Sequence, residues 1–262
     1  MTAVDFEAFV DELATLSGST IMPFFRTSIG VEDKSAGANF DPVTEADRAA
    51  EAAIRRRIRD TFPAHGVMGE EYGSERLDAE FVWVLDPIDG TKAFISGMPG
   101  WGTLIGLLRN GSPAFGMMHQ PFTKERFTGD GGQSKVRGPQ GERVLRTRTC
   151  ARLEDATLYT TSPRLIPELD RRKFFALEEK ARLSRYGGDC YAYCMLAAGF
   201  IDLVVEAALQ PYDIVALIPI VEGAGGVITT WDGGPAQAGG RIVAAGDPRV
   251  HAAALSILQS DA

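Results

Sequence analysis

The segment Trp83–Phe94, WVLDPIDGTKAF, constrains this chain more than any other. FVWVLDP reads as a short apolar strand that stops at Asp86-Pro87. The strand delivers Asp86 at its C-terminal end, and Asp89 follows three residues later. Two carboxylates this close repel one another unless a cation lies between them. Gly90-Thr91 then opens a candidate helix, whose first backbone N–H groups suit an oxyanion. One short stretch therefore offers metal ligands and an anion cradle together, which is what metal-assisted phosphoryl transfer needs. D-x-x-D-G is also an ordinary turn, so the reading depends on what other acids the chain supplies.

It supplies several. Glu70 and Glu71 follow the turn-forming FPAHG, Asp47 ends PVTEAD, and Asp213 sits in PYD at the first turn of a very apolar helix. An Asp at a helix start is, by itself, usually a cap. These are hard oxygen ligands with no accompanying Cys or His cluster, a profile that suits Mg²⁺ or Mn²⁺ and fits Zn²⁺ poorly. His65, His119 and His251 are scattered and read as structural or surface residues. Cys150, Cys190 and Cys194 cannot form an even disulfide framework; they read as small buried hydrophobes.

The charge balance excludes other functions. With 27 Lys+Arg against 35 Asp+Glu, the net charge is −8, which speaks against a nucleic-acid groove and an anionic membrane surface. At 45% hydrophobic and 24% charged the chain is ordinary for a globular protein. The N-terminus lacks the basic and apolar regions of a signal peptide, and no apolar run reaches about 18 residues. A cytoplasmic location is the expectation.

Apolar periodicity predicts helices from Val4 to about Phe25 and from Glu45 to about Thr61, the second capped by Thr44 with an Arg-rich face turned to solvent. Asn110-Gly111 joins two strands as a hairpin. The turn-rich segment 123–149 reads as short hairpin strands. The second half alternates strands (ATLYTTS, IDLVVEA, GVITTWD, RIVAA) with helices (PELDRRKFFALEEKA, CYAYCMLAAGF, PYDIVALIPIVEGAG, PRVHAAALSILQ). The mixture suggests α and β layers in two subregions. One is an N-terminal α+β part, 1–152, carrying most candidate ligands; the other is a C-terminal α/β part, 153–262, carrying Asp213. Together they would form one compact unit.

In order, DPVTEAD (41–47), GEE (69–71), DPIDGT (86–91), PYD (211–213) and GAGG (223–226) resemble the inositol monophosphatase superfamily over nearly the whole chain. DPIDGT is the specific element. The resemblance implies an αβαβα layered sandwich, a homodimer, and Mg²⁺-dependent hydrolysis of a small phosphomonoester inhibited by lithium. It implies that Glu70, Asp86, the Ile88 carbonyl, Asp89 and Asp213 hold roughly two or three Mg²⁺ ions, with Mn²⁺ as a substitute. Asp47 and Thr91 would position the nucleophilic water, and Glu70, with Thr91 as relay, would take up its proton. The Gly90 and Thr91 N–H groups would hold phosphate oxygens.

The segments RYGGDCYAYC (185–194), AAGFIDLVVEAALQPYD (197–213) and ALIPIVEGAGGVITTWDGG (216–234) most resemble the histidinol-phosphate phosphatase branch. Asp189 and Glu206 would then bind the amine and imidazole of histidinol phosphate. Asp189 can also cap the CYAYC helix. Arg185 is either a substrate contact across a dimer interface or a surface residue. Inositol-1-phosphate and other small sugar or nucleotide phosphomonoesters are the competing substrates. The segment GDGGQSKVRGPQGERVL departs from the hairpin of relatives, and PYD replaces their Trp-Asp. A haloacid-dehalogenase mechanism needs its two Asp two residues apart near the N-terminus. A glycosidase carboxylate pair needs neither metal nor anion cradle. A non-catalytic metal-dependent binding protein would not need the intact acid set.

Overall fold

The computed structural model describes residues 6–28, 30–34 and 42–260. The expected helix start at Val4 and Asp41 of DPVTEAD lie outside them. The first half runs α1 (Phe6–Ile21), β1 (Val31–Asp33), β2 (Pro42–Thr44), α2 (Glu45–Thr61), β3 (Gly66–Gly69), β4 (Gly73–Glu75), β5 (Phe81–Asp89), α3 (Thr91–Ile95), β6 (Gly102–Arg109), β7 (Ser112–Gln120), β8 (Glu125–Gly129), β9 (Ser134–Gly138) and β10 (Gly141–Val144). The second half continues β11 (Thr157–Thr160), α4 (Glu168–Glu178), β12 (Leu183–Tyr186), α5 (Asp189–Ala197), β13 (Leu203–Leu209), α6 (Pro211–Ile214), α7 (Leu217–Gly223), β14 (Val227–Thr230), β15 (Gly240–Ala245) and α8 (Pro248–Leu258). An eight-stranded sheet has the order β10-β9-β8-β7-β6-β5-β3-β4, and a five-stranded sheet the order β12-β11-β13-β15-β14.

Strand alternation sorts sequence neighbours into different layers. Ile105 and Met117 face α1 and α2, where Phe9, Leu13, Ile54 and Ile58 cover Trp83 and Leu85. Leu104 and Met118 face the other way, onto a central layer of α5, α6 and α7 that also receives Val204, Ile242 and Ala244 of the small sheet. Val205, Val243 and Ala245 point outward to Phe174 and Leu177 of α4 and Val250 and Leu258 of α8. The result is an αβαβα sandwich, as the motifs imply.

The close fit of the central layer to the large sheet has a visible cause. Gly106, Gly116 and Gly129 are cross-strand partners on β6, β7 and β8, forming one glycine row across three strands. A Cβ at Gly116 would overlap the Ala216 carbonyl, one at Gly129 would overlap Pro219, and one at Gly106 would press on Val215 and Ala216. The backbone around Ala216–Ile220 lies in this groove, and Ser134 Oγ donates to the Ile220 carbonyl at 2.7 Å.

Thr44 caps α2 through a reciprocal capping box with Asp47. Asn110 and Gly111 both have positive φ (50° and 77°), the geometry of a two-residue hairpin turn. Four expectations are corrected. The first helix ends at Ile21, and turns carry the chain on through Arg26. β5 does not stop at Asp86-Pro87 but continues to Asp89 through an irregularity in its pairing with β6. The apolar helix from Pro211 is two helices, α6 and α7. The Arg-rich face of α2 is not wholly solvated: Arg55 is buried, paired with Glu51 one turn earlier. Cys150, Cys190 and Cys194 are buried free thiols. Among the described residues no helix is long and apolar enough to cross a membrane.

Candidate active site

The irregularity in β5 builds the centre of the site. Asp86 pairs with Leu104 and Asp89 with Gly102, so Pro87 and Ile88 fall out of the ladder. A bulge is one of the few sheet positions that tolerate proline. The two displaced carbonyls take side-chain hydroxyls instead. Thr103 Oγ1 donates to Pro87 O at 2.8 Å, and Thr91 Oγ1 donates to Ile88 O at 3.0 Å. The Ile88 N–H donates to Asp86 Oδ1 at 3.0 Å. Both carboxylates thus emerge at one end of the strand. Gly90 follows with φ 83°, and a Cβ there would press on the Gly100 carbonyl, so only glycine fits.

Asp213 comes from the central layer. Carboxylate oxygens of Asp86, Asp89 and Asp213 lie within 4.8 Å of one another. Asp213 is also a cap acceptor, its Oδ2 taking the Gln210 N–H at 2.7 Å. Cap and candidate ligand therefore coexist in one side chain. Burial, then repulsion from Glu70, Asp89 and Asp213, holds Asp86 well above the usual carboxylate range. Asp89 is held well above it by burial, Asp189 and Asp213.

Glu70 leaves the end of β3, its N–H donating to Leu85 O at 3.2 Å. Lys34 Nζ bridges Glu70 and Glu71 at 2.8 Å each. Behind this turn, fully buried Glu51 accepts the N–H groups of Glu71 (2.8 Å) and Tyr72 (3.1 Å) and the Arg55 Nε (2.7 Å). Arg55 also reaches the Gly73 carbonyl. Asp47 accepts Thr44 N at 2.9 Å and Thr44 Oγ1 at 2.5 Å, and burial lifts its carboxyl to about 6.

A cavity of about 220 Å³ opens beside these acids, lined by Asp89, Gly90, Thr91, Asp189, Glu206 and Asp213 among others. Asp189 is the first residue of α5; Gly188 occupies the cap position, so the alternative role of Asp189 as a cap is not the one seen. Its φ of 43° is left-handed, a strained conformation for a non-glycine residue. The next residue, Cys190, donates its N–H to Asp89 Oδ2 at 2.6 Å, tying α5 to β5. Glu206 on β13 accepts Thr161 N at 2.8 Å and Oγ1 at 2.6 Å. Burial pushes Asp189 up to about 6 and Glu206 up to about 7. Arg185 is exposed on the edge strand β12 and is not among the residues lining the cavity.

The histidines stand apart. His65 stacks between Phe62 and Phe81 and accepts the Trp83 Nε1–H at 3.1 Å. His119 pairs with the Glu125 carbonyl, and His251 with Thr229. Sequence reasoning missed Lys34, the Glu51–Arg55 pair, Thr161 and Tyr193. The four-residue helical spacing of Glu51 and Arg55 was a legible signal; Lys34 and Thr161 are brought to the site by loops that carry no local pattern.

Comparison with known proteins follows the same lines. A family model described as the inositol monophosphatase family matches residues 4–261. The bifunctional phosphatase IMPL2 of Arabidopsis thaliana is 43% identical over 97% of this chain and 75% of its own length. A histidinol-phosphatase of Mycobacterium tuberculosis is 36% identical over 78% of this chain and 79% of its own. The solved structure of an inositol monophosphatase from Zymomonas mobilis superposes with a TM-score of 0.87 at 39% identity, covering 98% of this chain and all of that one.

Proposed function

The chain belongs to the inositol monophosphatase family, and from that premise we propose that it is a divalent-metal-dependent phosphomonoesterase whose cavity favours a cationic leaving group, with L-histidinol phosphate as substrate. The observation that carries the metal dependence is the trio Asp86, Asp89 and Asp213, with oxygens within 4.8 Å; the substrate reading rests on Asp189 and Glu206 in the cavity wall. Three carboxylates at that separation cannot all ionise without a cation among them. The donors are hard oxygens, the chemistry that suits Mg²⁺ or Mn²⁺.

Glu70, Asp86 and the Ile88 carbonyl would hold one ion, and Asp86, Asp89 and Asp213 another, and ions so held supply an activated water and charge stabilisation for the leaving alkoxide. The chain's own residues do the rest. The Thr91 hydroxyl, anchored on Ile88 O, relays a proton toward Glu70. Asp47, fixed by Thr44, orients the nucleophilic water. The Gly90 and Thr91 N–H groups take phosphate oxygens at the cavity mouth. Asp189 and Glu206 face the leaving group; an ammonium and an imidazole N–H there meet two acids in a low-dielectric wall, where charge-assisted hydrogen bonds are strong. Arg185 would act only from a second copy of the chain, in a homodimer.

A second reading, inositol-1-phosphate or another polyol phosphate, has its own support. The relative that is 43% identical is named a bifunctional phosphatase, and the 39% identical structure is described as an inositol monophosphatase. Homology favours this broader reading; the acidic cavity wall favours the first. A panel of histidinol phosphate, inositol-1-phosphate, fructose bisphosphate and 3′-phosphoadenosine phosphate, assayed with Mg²⁺, separates them. The first reading requires the highest kcat/KM on histidinol phosphate, and a preference for inositol-1-phosphate establishes the second. Asp86→Asn, or excess chelator, should abolish turnover of every substrate; full activity in chelator would remove the metal mechanism.

A further inference from the structure

Tyr193 stands four residues after Asp189 on α5. Both line the cavity. Tyr193 is 1% exposed, and its hydroxyl is buried with no hydrogen-bond partner among the described residues. A buried phenol normally finds a partner, because leaving it unmet forfeits the hydrogen bonds it had in water. The charged groups that bear on it are Glu206, Asp89 and Asp213.

The rest of the wall shows what is missing. Toward the leaving group, Asp189 and Glu206 only accept once an ammonium opposite them holds them ionised, and the Thr161 hydroxyl is already committed to Glu206. An ammonium alone would satisfy the acids and leave the phenol unmet. A leaving group that also offers a lone pair, on a neutral imidazole nitrogen or a hydroxyl oxygen, would satisfy both, provided that the covered phenol turns toward the cavity to meet it. We propose that the Tyr193 hydroxyl is a specificity-determining donor to a lone-pair atom of the leaving group, so that this end of the cavity selects alcohols that carry such an atom. The inference rests on the proposed seating of the leaving group in this cavity. It does not depend on which of the two substrates is the better one.

The test compares the native Mg²⁺-loaded enzyme with Tyr193→Phe on four phosphomonoesters: L-histidinol phosphate, inositol-1-phosphate, 2-aminoethyl phosphate and ethyl phosphate. On whichever of the first two is turned over, Tyr193→Phe should raise KM about tenfold with kcat within about twofold, the loss expected for one hydrogen bond made equally in ground and transition states. On 2-aminoethyl and ethyl phosphate, which lack the added acceptor, kcat/KM should be unchanged. The melting temperature of ligand-free Tyr193→Phe should be equal to or above that of the native protein, because the hydroxyl has no partner to lose; a purely structural role would lower it. Equal losses on all four esters, no loss on any, or a lowered melting temperature overturns the proposal. Failure of native enzyme on histidinol phosphate alone removes the substrate reading and leaves Tyr193 to be judged on inositol-1-phosphate. Failure on every ester overturns both.

Discussion

Asp189 shows how much function a single residue carries here. Its left-handed backbone and buried carboxyl are two costs borne at one position, and such costs persist where the surroundings over-determine them. Asp189→Ala should add to the strain, since alanine tolerates positive φ less well than aspartate does. It should lower kcat/KM for histidinol phosphate by about tenfold to a hundredfold, the range of one or two charge-assisted bonds. Equal losses on histidinol phosphate and on an uncharged polyol phosphate would remove the amine-recognition role. Protonation gives a second residue-scale expectation. Burial lifts Glu206 to about 7 and, with the neighbouring acids, holds Asp86 and Asp89 well above their ordinary range. Acids titrate near 4 in an unfolded chain. The folded, metal-free protein therefore keeps protons that the unfolded chain has already released, and its stability falls as pH rises through the folded values. His119, pushed down to about 4 by burial, acts in the opposite sense below about pH 6.5. The comparison belongs between pH 6.5 and pH 8: in chelator the melting temperature should drop across that interval, and saturating Mg²⁺ should recover it. A rise in chelator would contradict the origin assigned to these shifts. The acids themselves were legible in the sequence, because carboxylates crowded at a strand end repel one another and so call for a cation. Tyr193 was not, because an aromatic at helical spacing in an apolar run reads as core until the cavity beside it is known.

At the scale of elements, the site depends on where regular structure stops being regular. Pro87 correctly signalled a break, but the strand resumes after it, and the bulge rather than the strand end sets the spacing of Asp86 and Asp89. The Thr44 cap and the start of α2 were readable, since capping chemistry is local. What α2 does for the site was not, because it acts across space: Glu51 and Arg55 brace the turn that carries Glu70 and Glu71. Groups that orient ligands tune metal affinity by about 10–100-fold. Glu51→Gln should therefore weaken Mn²⁺ binding by that factor, measured by direct titration. It should also cost about 3 kcal/mol of stability, since Arg55 is left buried with its main partner neutralised. Unchanged Mn²⁺ affinity would confine the pair to a structural role. The division of the apolar stretch after Pro211 into α6 and α7 had a sign in Pro219, which has no N–H for the Val215 carbonyl and so suits the first turn of a new helix; the break turns Asp213 toward β5 while α7 continues along the large sheet.

For the whole molecule, the layered architecture was legible as alternating strands and amphipathic helices, yet the packing partners were not. Only the structure pairs Leu104 and Met118 of one sheet with Val204 and Ile242 of the other through a shared helical layer. That shared core predicts cooperativity: urea unfolding followed by tryptophan fluorescence and by far-ultraviolet dichroism should give one coincident transition, and two separated transitions would divide the chain near residue 152. Gly116→Ala should destabilise this unit by about 1–3 kcal/mol or more, because the added methyl has backbone, not a pliable side chain, in its way. The glycine row also sets a direction for sequence drift. A groove shaped by three side chains that do not exist cannot be made larger by deletion, so every substitution at Gly106, Gly116 or Gly129 adds volume on the same side. Elsewhere in a core a lost methylene can be offset by a larger neighbour. Here the only offset for an added one is to lift the central layer off the sheet, and Asp213 would be lifted with it. These three positions, far from the cavity in sequence, are therefore a ratchet: they admit no gradual path of compensated change, and their cost would be read first as weakened ion binding and only then as unfolding.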